Sequence, residues 1–197
     1  MNGTHYISET KENETSALMV ISSIEFSITS DIINGFTCSS NALNITNSGS
    51  YTVSMSSGID TTYTNRILIS ATGSDTVSVT LSDVHINLSS IASTPAFDIT
   101  GSTPVKLLLA GTNSLASGEN RAGLQKSNTA CILILGGSGS LTATGGFNGA
   151  GIGGGNQGAG THITITGGIL TATGGSYAAG IGGGQGGAGS NITLTGG

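Results

Sequence analysis

The chain has 197 residues, of which 34 are glycine, 8% are charged and none is tryptophan, and its formal net charge is −5. An apolar content of 36% with so few charges excludes a charge-rich disordered segment. The five basic residues are scattered and give no footprint for nucleic acid, and no run of about 18 apolar residues predicts a membrane span.

The first 40 residues divide into two parts. Residues 1–17 are polar, lack the basic start and apolar middle of a secretory signal, and predict a lead-in or arm. An export signal is therefore expected elsewhere, or has been removed, or the chain is a piece of a longer protein. Residues 18–40 alternate at Ile24, Phe26 and Ile28 and are rich in β-branched side chains, which favours a strand over a helix. This region predicts a strand or cap that closes the first edge of the strands after residue 40.

Short alternating segments recur from residue 41 onwards, with apolar residues on one face and serine or threonine on the other. Laid over one another, they predict that corresponding strands stack. The predicted pairs are Val79 with Leu107, Leu115 with Leu141, and Leu124 with Ile152, at separations of 28, 26 and 28 residues.

Residues 136–197 form the most regular part, where one glycine-rich unit is written almost twice. LTATGG recurs at Leu141 and Leu170, and the apolar positions after it recur with the same separation of 29 residues. A fixed period of this size is typical of stacked repeats. We predict an all-β fold for residues 41–197, a parallel β-helix (β-solenoid) of about six coils of 26–29 residues with three short strands per coil.

The two cysteines are predicted to be buried free thiols. Cys38 and Cys131 are 93 residues apart, which is about three coils. At the usual strand spacing this places them on the order of 15 Å apart along the axis, whereas a disulfide needs α-carbons within about 7 Å.

Segments in the middle of the chain resemble clostridial-type carbohydrate-binding surface proteins, which are parallel β-helices. The segments are VSVTLSDVHINLSS, TPAFDI and VKLLLAGTNSLASGENRAGL. The family's L-x-G-T-N-x-L element falls on Leu109, Gly111, Thr112, Asn113 and Leu115, and its A-G-I element on Ala122, Gly123 and Leu124. The TATGG, GAGIGGG and ITITGG units are similar to repeats in large surface proteins of gut and anaerobic Firmicutes.

This resemblance covers roughly residues 40–197 and implies a right-handed β-helix at the cell surface, in agreement with the handedness of parallel crossovers. In the family, exposed acidic side chains and calcium accompany polysaccharide binding. No Asp or Glu follows Glu119, so the glycine-rich half is not expected to hold a carboxylate calcium site. No other cofactor is predicted.

Two aromatic residues in equivalent turns of the repeat are the best candidates for contact with a sugar ring, since carbohydrate platforms use aromatic faces. Side-chain amides lie beside them in the sequence. A lid over the core is the other interpretation of such aromatics. The predicted carbohydrate-binding residues are Phe147, Asn148, Asn156, Gln157, Tyr177 and Gln185.

Threonines on the outer faces of the repeat predict ladders that stack from coil to coil. Such ladders are interpreted first as structural, with a sugar-binding or an ice-binding face as alternatives; ice binding needs a longer regular array. The predicted ladder residues are Thr142, Thr144, Thr164, Thr166, Thr171, Thr173, Thr193 and Thr195.

No catalytic or metal site is predicted. Asp83 and Asp98 follow different strands of one coil and are interpreted as solvated turn acids that point from different sides, rather than as a glycosidase pair. His85 and His162 are expected at outward strand positions, without a second metal ligand nearby. The G-x-G-x-x-G match at Gly149 is followed by neither a helix nor an acid, and is interpreted as a turn.

These observations predict a non-catalytic, extracellular, cell-surface β-helix that binds polysaccharide or a cell-surface glycan as an adhesive module. The alternative is a structural subunit that stacks head-to-tail with copies of itself into a filament. An ice-binding or polysaccharide-degrading β-helix is the third interpretation.

Overall fold

The computed structural model describes residues 5–7, 17–20, 24–39 and 41–196, so most of the predicted lead-in lies outside the described residues. Every regular element in these ranges is a β-strand, and none of the ranges holds a helix long and apolar enough to cross a membrane. In chain order the strands are β1 (His5–Ile7), β2 (Ala17–Val20), β3 (Phe26–Ser30), β4 (Phe36–Ser39), β5 (Ala42–Ile45), β6 (Gly49–Met55), β7 (Arg66–Ile69), β8 (Val77–Ser82), β9 (His85–Asn87), β10 (Phe97–Ile99), β11 (Val105–Ala110), β12 (Thr112–Ala116), β13 (Leu124–Lys126), β14 (Leu133–Gly137), β15 (Ser140–Thr144), β16 (Ile152–Gly153), β17 (Gly160–Ile165), β18 (Ile169–Thr173), β19 (Ile181–Gly182) and β20 (Gly189–Leu194).

These strands form three sheets. Sheet 1 has nine strands in the order β1-β2-β3-β6-β8-β11-β14-β17-β20. Sheet 2 has seven, in the order β19-β16-β13-β10-β7-β5-β4, and sheet 3 has four, in the order β18-β15-β12-β9. From β5 onwards each turn of the chain adds one parallel strand to sheet 2 and then one to sheet 1, and most turns add a third to sheet 3.

The fold is therefore the predicted all-β, right-handed parallel β-helix. It has about five turns instead of the predicted six. Among the described residues the first turn has no strand in sheet 3 and reaches that sheet only through a single bridge between Thr62 and Ile86.

Most of the predicted stacking is confirmed. Val79 pairs with Leu107 and Leu124 with Ile152, and the strands of the glycine-rich units pair in the predicted register. The pairing of Leu115 with Leu141 is wrong by two residues, because Asn113 occupies the position opposite Leu141.

The interior consists of apolar rows that run along the axis. Period-two alternation turns every second side chain inward, and the parallel register places equivalent side chains on one another. No side chain in the two rows named below has more than about 2% of its surface exposed. The sheet 1 row is Tyr51, Val79, Leu107, Leu135 and Ile165, and the sheet 2 row is Leu43, Ile67, Phe97, Leu124 and Ile152.

Asn113 is a polar side chain that points inward at the corner between sheets 1 and 3. Its Oδ1 accepts a hydrogen bond from the Val84 N–H at 2.9 Å, and its Nδ2 donates to the carbonyls of Ala110 and Ser140 at 3.0 and 3.1 Å. One buried amide thus satisfies backbone groups of three successive turns. If these buried groups were left unpaired, the folded state would be destabilised.

At corners of the glycine-rich turns backbone groups bond directly from one turn to the next, as the Gly146 N–H does to the Arg121 carbonyl at 2.9 Å. A Cβ at Gly149 would lie 1.9 Å from the Arg121 carbonyl oxygen of the turn before, and one at Gly175 would lie 2.0 Å from the Gly146 oxygen. Only glycine allows two turns to approach this closely.

Two antiparallel strands lie on the first turn. β3 pairs antiparallel with β6, and β4 pairs antiparallel with β5. Phe26 and Ile28 extend the interior, and the Tyr51 hydroxyl donates to the carbonyls of Asn47 and Gly35 at 2.8 and 3.1 Å. β3 and β4 therefore cover the strand edges that the first turn would otherwise leave open in sheets 1 and 2.

Both cysteines are free, as predicted, but only Cys131 is buried. Cys38 is half-buried on β4. Burial raises the pKa of the Cys38 thiol to about 11, so this thiol is a weak nucleophile at neutral pH.

Candidate functional site

The two turns that flank each sheet 2 strand converge in the glycine-rich half, because β16 and β19 are only two residues long. The Gln185 N–H donates to the Asn148 carbonyl, and the Asn156 N–H donates to the Asn120 carbonyl, both at 2.9 Å. The two turns thus form one surface, which we call the turn face: Asn120, Phe147, Asn148, Asn156, Gln157, Tyr177 and Gln185. It contains all six residues predicted to bind carbohydrate.

Phe147 and Tyr177 form an aromatic pair on this face. Their ring centroids are 5.3 Å apart with an interplanar angle of 78°, which is an edge-to-face arrangement. About half of Phe147 (51%) and more of Tyr177 (61%) is exposed. Both rings are largely exposed and neither belongs to the hydrophobic core cluster, which favours a surface role over that of a lid.

An amide ladder adjoins the aromatic pair. The Asn148 Nδ2 donates to the Asn120 Oδ1 of the turn before at 2.7 Å. The Asn148 Oδ1 is shielded from solvent and has no hydrogen-bond partner in the described part of the chain. The exposed side chains of Asn156, Gln157 and Gln185 add further amide donors and acceptors to the same face.

The threonines stack as predicted but do not bond to each other. Thr142 lies opposite Thr171, Thr144 opposite Thr173 and Thr164 opposite Thr193. No hydroxyl-to-hydroxyl bond joins these pairs, all of which belong to the described residues.

Thr166 and Thr195 complete the predicted ladder. Each donates its hydroxyl to a carbonyl of the preceding turn, Leu135 and Ile165 respectively, at 3.2 Å. Several ladder hydroxyls are therefore left facing solvent.

Asp98 departs from its prediction as a solvated turn acid. It lies in the middle of β10, is 7% exposed, and accepts hydrogen bonds from the Ser127 hydroxyl at 2.7 Å and the Gln125 Nε2 at 3.3 Å. Burial raises the pKa of this carboxyl, while the hydrogen bonds from Ser127 and the positive charges of Arg121 and Arg66 oppose that rise.

A cavity of about 150 Å³ opens beside this cluster and next to the turn face. Gly155, Gly158 and Ala159 of the following turn also line it. The polar and charged side chains around the cavity belong to Arg121, Gln125, Lys126, Ser127, Thr129 and Asn156.

Lys126 places its amine on the inside of the solenoid. It follows Ile99 in the inward row of sheet 2, is 1% exposed, and donates its Nζ to the Asn128 carbonyl at 2.6 Å. Burial lowers the pKa of this amine.

The other sequence-predicted acids and histidines do not join the turn face. Asp83 is exposed at the corner after β8, where its Oδ1 accepts the Thr112 N–H at 2.8 Å, whereas Asp98 belongs to sheet 2. His85 is at an outward position of β9, and its Nδ1 lies 3.0 Å from the Ser114 Oγ. No group of three or more potential metal ligands occurs among the described residues.

Sequence reasoning missed Asn120, Arg121 and Gln125. A usable signal exists for two of them, since Asn120 precedes Asn148 by 28 residues and Gln125 follows Asp98 by 27, each one coil. The polar side chains therefore continue the turn face into the turn that precedes the glycine-rich units.

No family model matches the chain, and no curated protein or solved structure is significantly similar to it. The resemblance to clostridial-type surface proteins stays a prediction. The function has to be inferred from the turn face itself.

Proposed function

We propose that this protein is a non-catalytic, extracellular, cell-surface β-helix that binds polysaccharide through the turn face. The observation that carries the proposal is the exposed pair of Phe147 and Tyr177, stacked in successive turns beside an amide ladder. The resemblance of the repeats to surface proteins supports the cellular location.

The chemistry of the turn face suits a sugar. Aromatic rings contact the apolar C–H faces of a pyranose, and Tyr177 adds a hydroxyl at the rim. The amides of Asn156, Gln157 and Gln185 can each donate to and accept from sugar hydroxyls. Because equivalent positions repeat along the axis, the face favours a chain of sugars over a single one.

The face is also held rigidly. The turns that carry Phe147 and Tyr177 are fixed by backbone hydrogen bonds, among them Gly149 N–H to Gly146 and Gly175 N–H to Gly149, both at 2.9 Å. A rigid platform loses little conformational entropy when it binds a ligand, which favours affinity.

Head-to-tail assembly has less support than polysaccharide binding. It requires the first turn of one copy to offer free parallel edges to another copy. β3 and β4 already pair with that turn in sheets 1 and 2, and they run antiparallel to it.

The test is binding of the purified chain to a polysaccharide array, with an affinity measurement on the best ligand. Replacing both Phe147 and Tyr177 with Ala is expected to weaken binding about tenfold or more, since exposed aromatic anchors dominate such contacts. Tyr63→Ala is the matched control, because Tyr63 is equally exposed (59%) but lies in the first turn.

Retained affinity in the double variant, or an equal loss in Tyr63→Ala, would exclude the turn face as the binding surface. Absence of binding to every polysaccharide on the array would reject the proposed function.

A further inference from the structure

Arg121 presents hydrogen-bond donors to the cavity beside the turn face. Its Nε donates to the Ser93 carbonyl at 3.0 Å, which fixes the plane of the guanidinium group. No described residue accepts a hydrogen bond from its two terminal nitrogens, and they form no ion pair within the described ranges. The free side of the group is the fork that matches a carboxylate in two parallel hydrogen bonds.

The other side chains of the cavity suit the same ligand. Thr129 and Asn156 place a hydroxyl and an amide donor around a volume of about 150 Å³, enough for the carboxylate and part of one sugar ring, whereas the Ser127 hydroxyl donates to Asp98. Lys126 adds a buried amine at the inner wall, which donates to the Asn128 carbonyl. The cavity thus offers donors from Arg121, Thr129 and Asn156.

The charges of the chain are distributed in agreement with an anionic ligand. Eight of the ten acidic residues precede Val84, and the remaining 114 residues contain only Asp98 and Glu119 against three bases. Residues 1–83 therefore carry a net charge of −6 and residues 84–197 one of +1, so repulsion of an anion is weak at the turn face.

Asp98 is a buried carboxyl group beside the cavity. Burial raises its pKa, and its two oxygens are occupied by Ser127 and Gln125. It is close enough to Arg121 for their charges to interact. An ionised Asp98 competes electrostatically with an incoming anion for the guanidinium group.

We infer that the polysaccharide is acidic and that Arg121, with the donors of this cavity, binds the carboxylate of one uronic acid residue while the aromatic pair contacts a neighbouring sugar. The inference rests on the proposed function, because the aromatic pair supplies the rest of the binding surface. The ligand class is a uronate polysaccharide.

The test uses an array of galacturonate, glucuronate and mannuronate polysaccharides, each beside its carboxyl-methylated form, with sulfated and neutral glycans included. Wild type is expected to prefer the free acids, and the preference is expected to fall with added salt because it is electrostatic. Arg121→Gln is expected to weaken binding of the acid about tenfold, since hydrogen bonds to charged groups are the stronger ones, and to change binding of the ester less than about twofold.

Two further variants distinguish an effect of charge from an effect on folding, and a third variant is the control. Arg121→Lys keeps the charge without the fork and is expected to recover part of the loss. Asp98→Asn removes the negative charge, keeps an oxygen that accepts from the Ser127 hydroxyl, places its Nδ2 against the Gln125 Nε2, and is expected to strengthen binding of the acid. Lys106→Gln, which removes one exposed cation from sheet 1, is the control for net charge and is expected to leave the preference unchanged.

Equal binding of acid and ester, or a preference unaffected by Arg121→Gln, would overturn the inference while leaving the proposed function standing. A preference for sulfated over carboxylated glycans would overturn the assignment of a uronate. Absence of binding to any glycan would reject both, and loss of neutral binding in the aromatic double variant alone would support the proposed function but not the acidic ligand.

Discussion

The middle turns of the solenoid and the glycine-rich turns after them satisfy their corner backbone groups by different means. In the middle turns buried side chains do so: Asn113 bonds to three turns, and the Ser117 hydroxyl accepts the Ala96 N–H and donates to the Ala122 carbonyl. In the glycine-rich turns the backbones approach until they bond directly, as at Gly149.

This difference shows what glycine contributes to the surface. A corner that needs no side chain for its own hydrogen bonds leaves the few side chains it has free for a ligand. Phe147 and Tyr177 are exposed on turns made mainly of glycine. In the middle turns, polar residues such as Asn113 and Ser117 are buried and bond to the backbone.

The largest effect is expected where a side chain holds a corner. Asn113→Leu introduces a leucine, the same residue as Leu141 at the opposite position. It leaves the Val84 N–H and the carbonyls of Ala110 and Ser140 without their partner. The free energy of unfolding is expected to fall by about 3 kcal/mol, because buried backbone groups would be unpaired. Urea unfolding measures the loss.

The neighbouring Thr112→Ala, whose side chain is exposed, is the control and is expected to change stability by less than about 0.5 kcal/mol. Wild-type stability in Asn113→Leu would show that the corner closes without its amide.

A smaller effect is expected where only backbone holds the corner. Gly149→Ala places a methyl group 1.9 Å from the Arg121 carbonyl oxygen, so the turns must separate. Overpacking of this kind is expected to lower the free energy of unfolding by about 1–3 kcal/mol. Gly189→Ala is the matched control, since its nearest atom is 3.5 Å from the new carbon. Equal melting temperatures for the two variants would contradict the role of close approach.

The smallest effect is expected on the threonine faces. Thr142→Val and Thr171→Val keep the β-branched shape, and neither wild-type hydroxyl has a protein partner among the described residues. The free energy of unfolding of the double variant is expected to lie within about 0.5 kcal/mol of the wild-type value. A larger loss in thermal unfolding would mean that these hydroxyls stabilise the stack through ordered water.

The fold could be predicted from the repeat because period-two alternation and a fixed 29-residue separation reflect the geometry of stacked strands directly. The predicted register was wrong at Leu115. The prediction paired Leu115 with Leu141, whereas the inward-pointing Asn113 lies opposite Leu141. Apolar pattern does not reveal that a polar side chain is buried to satisfy backbone groups.

The candidate site was predictable only in part. Phe147 and Tyr177 could be found because they repeat. The cavity at Arg121 could not, since residues of two successive turns line it and only the stacking of the turns brings them together. Asp98 was misjudged for a related reason: its burial depends on Gln125 and Ser127 of the next turn, 27 and 29 residues away.

The antiparallel strands on the first turn have a consequence for how the chain folds. Successive turns pair residues about 28 positions apart, so each turn can dock as soon as the one before it is in place. The closed first turn lies at the end that leaves the ribosome first. We expect it to act as a template during synthesis, on which later turns add in order while the apolar rows stay covered.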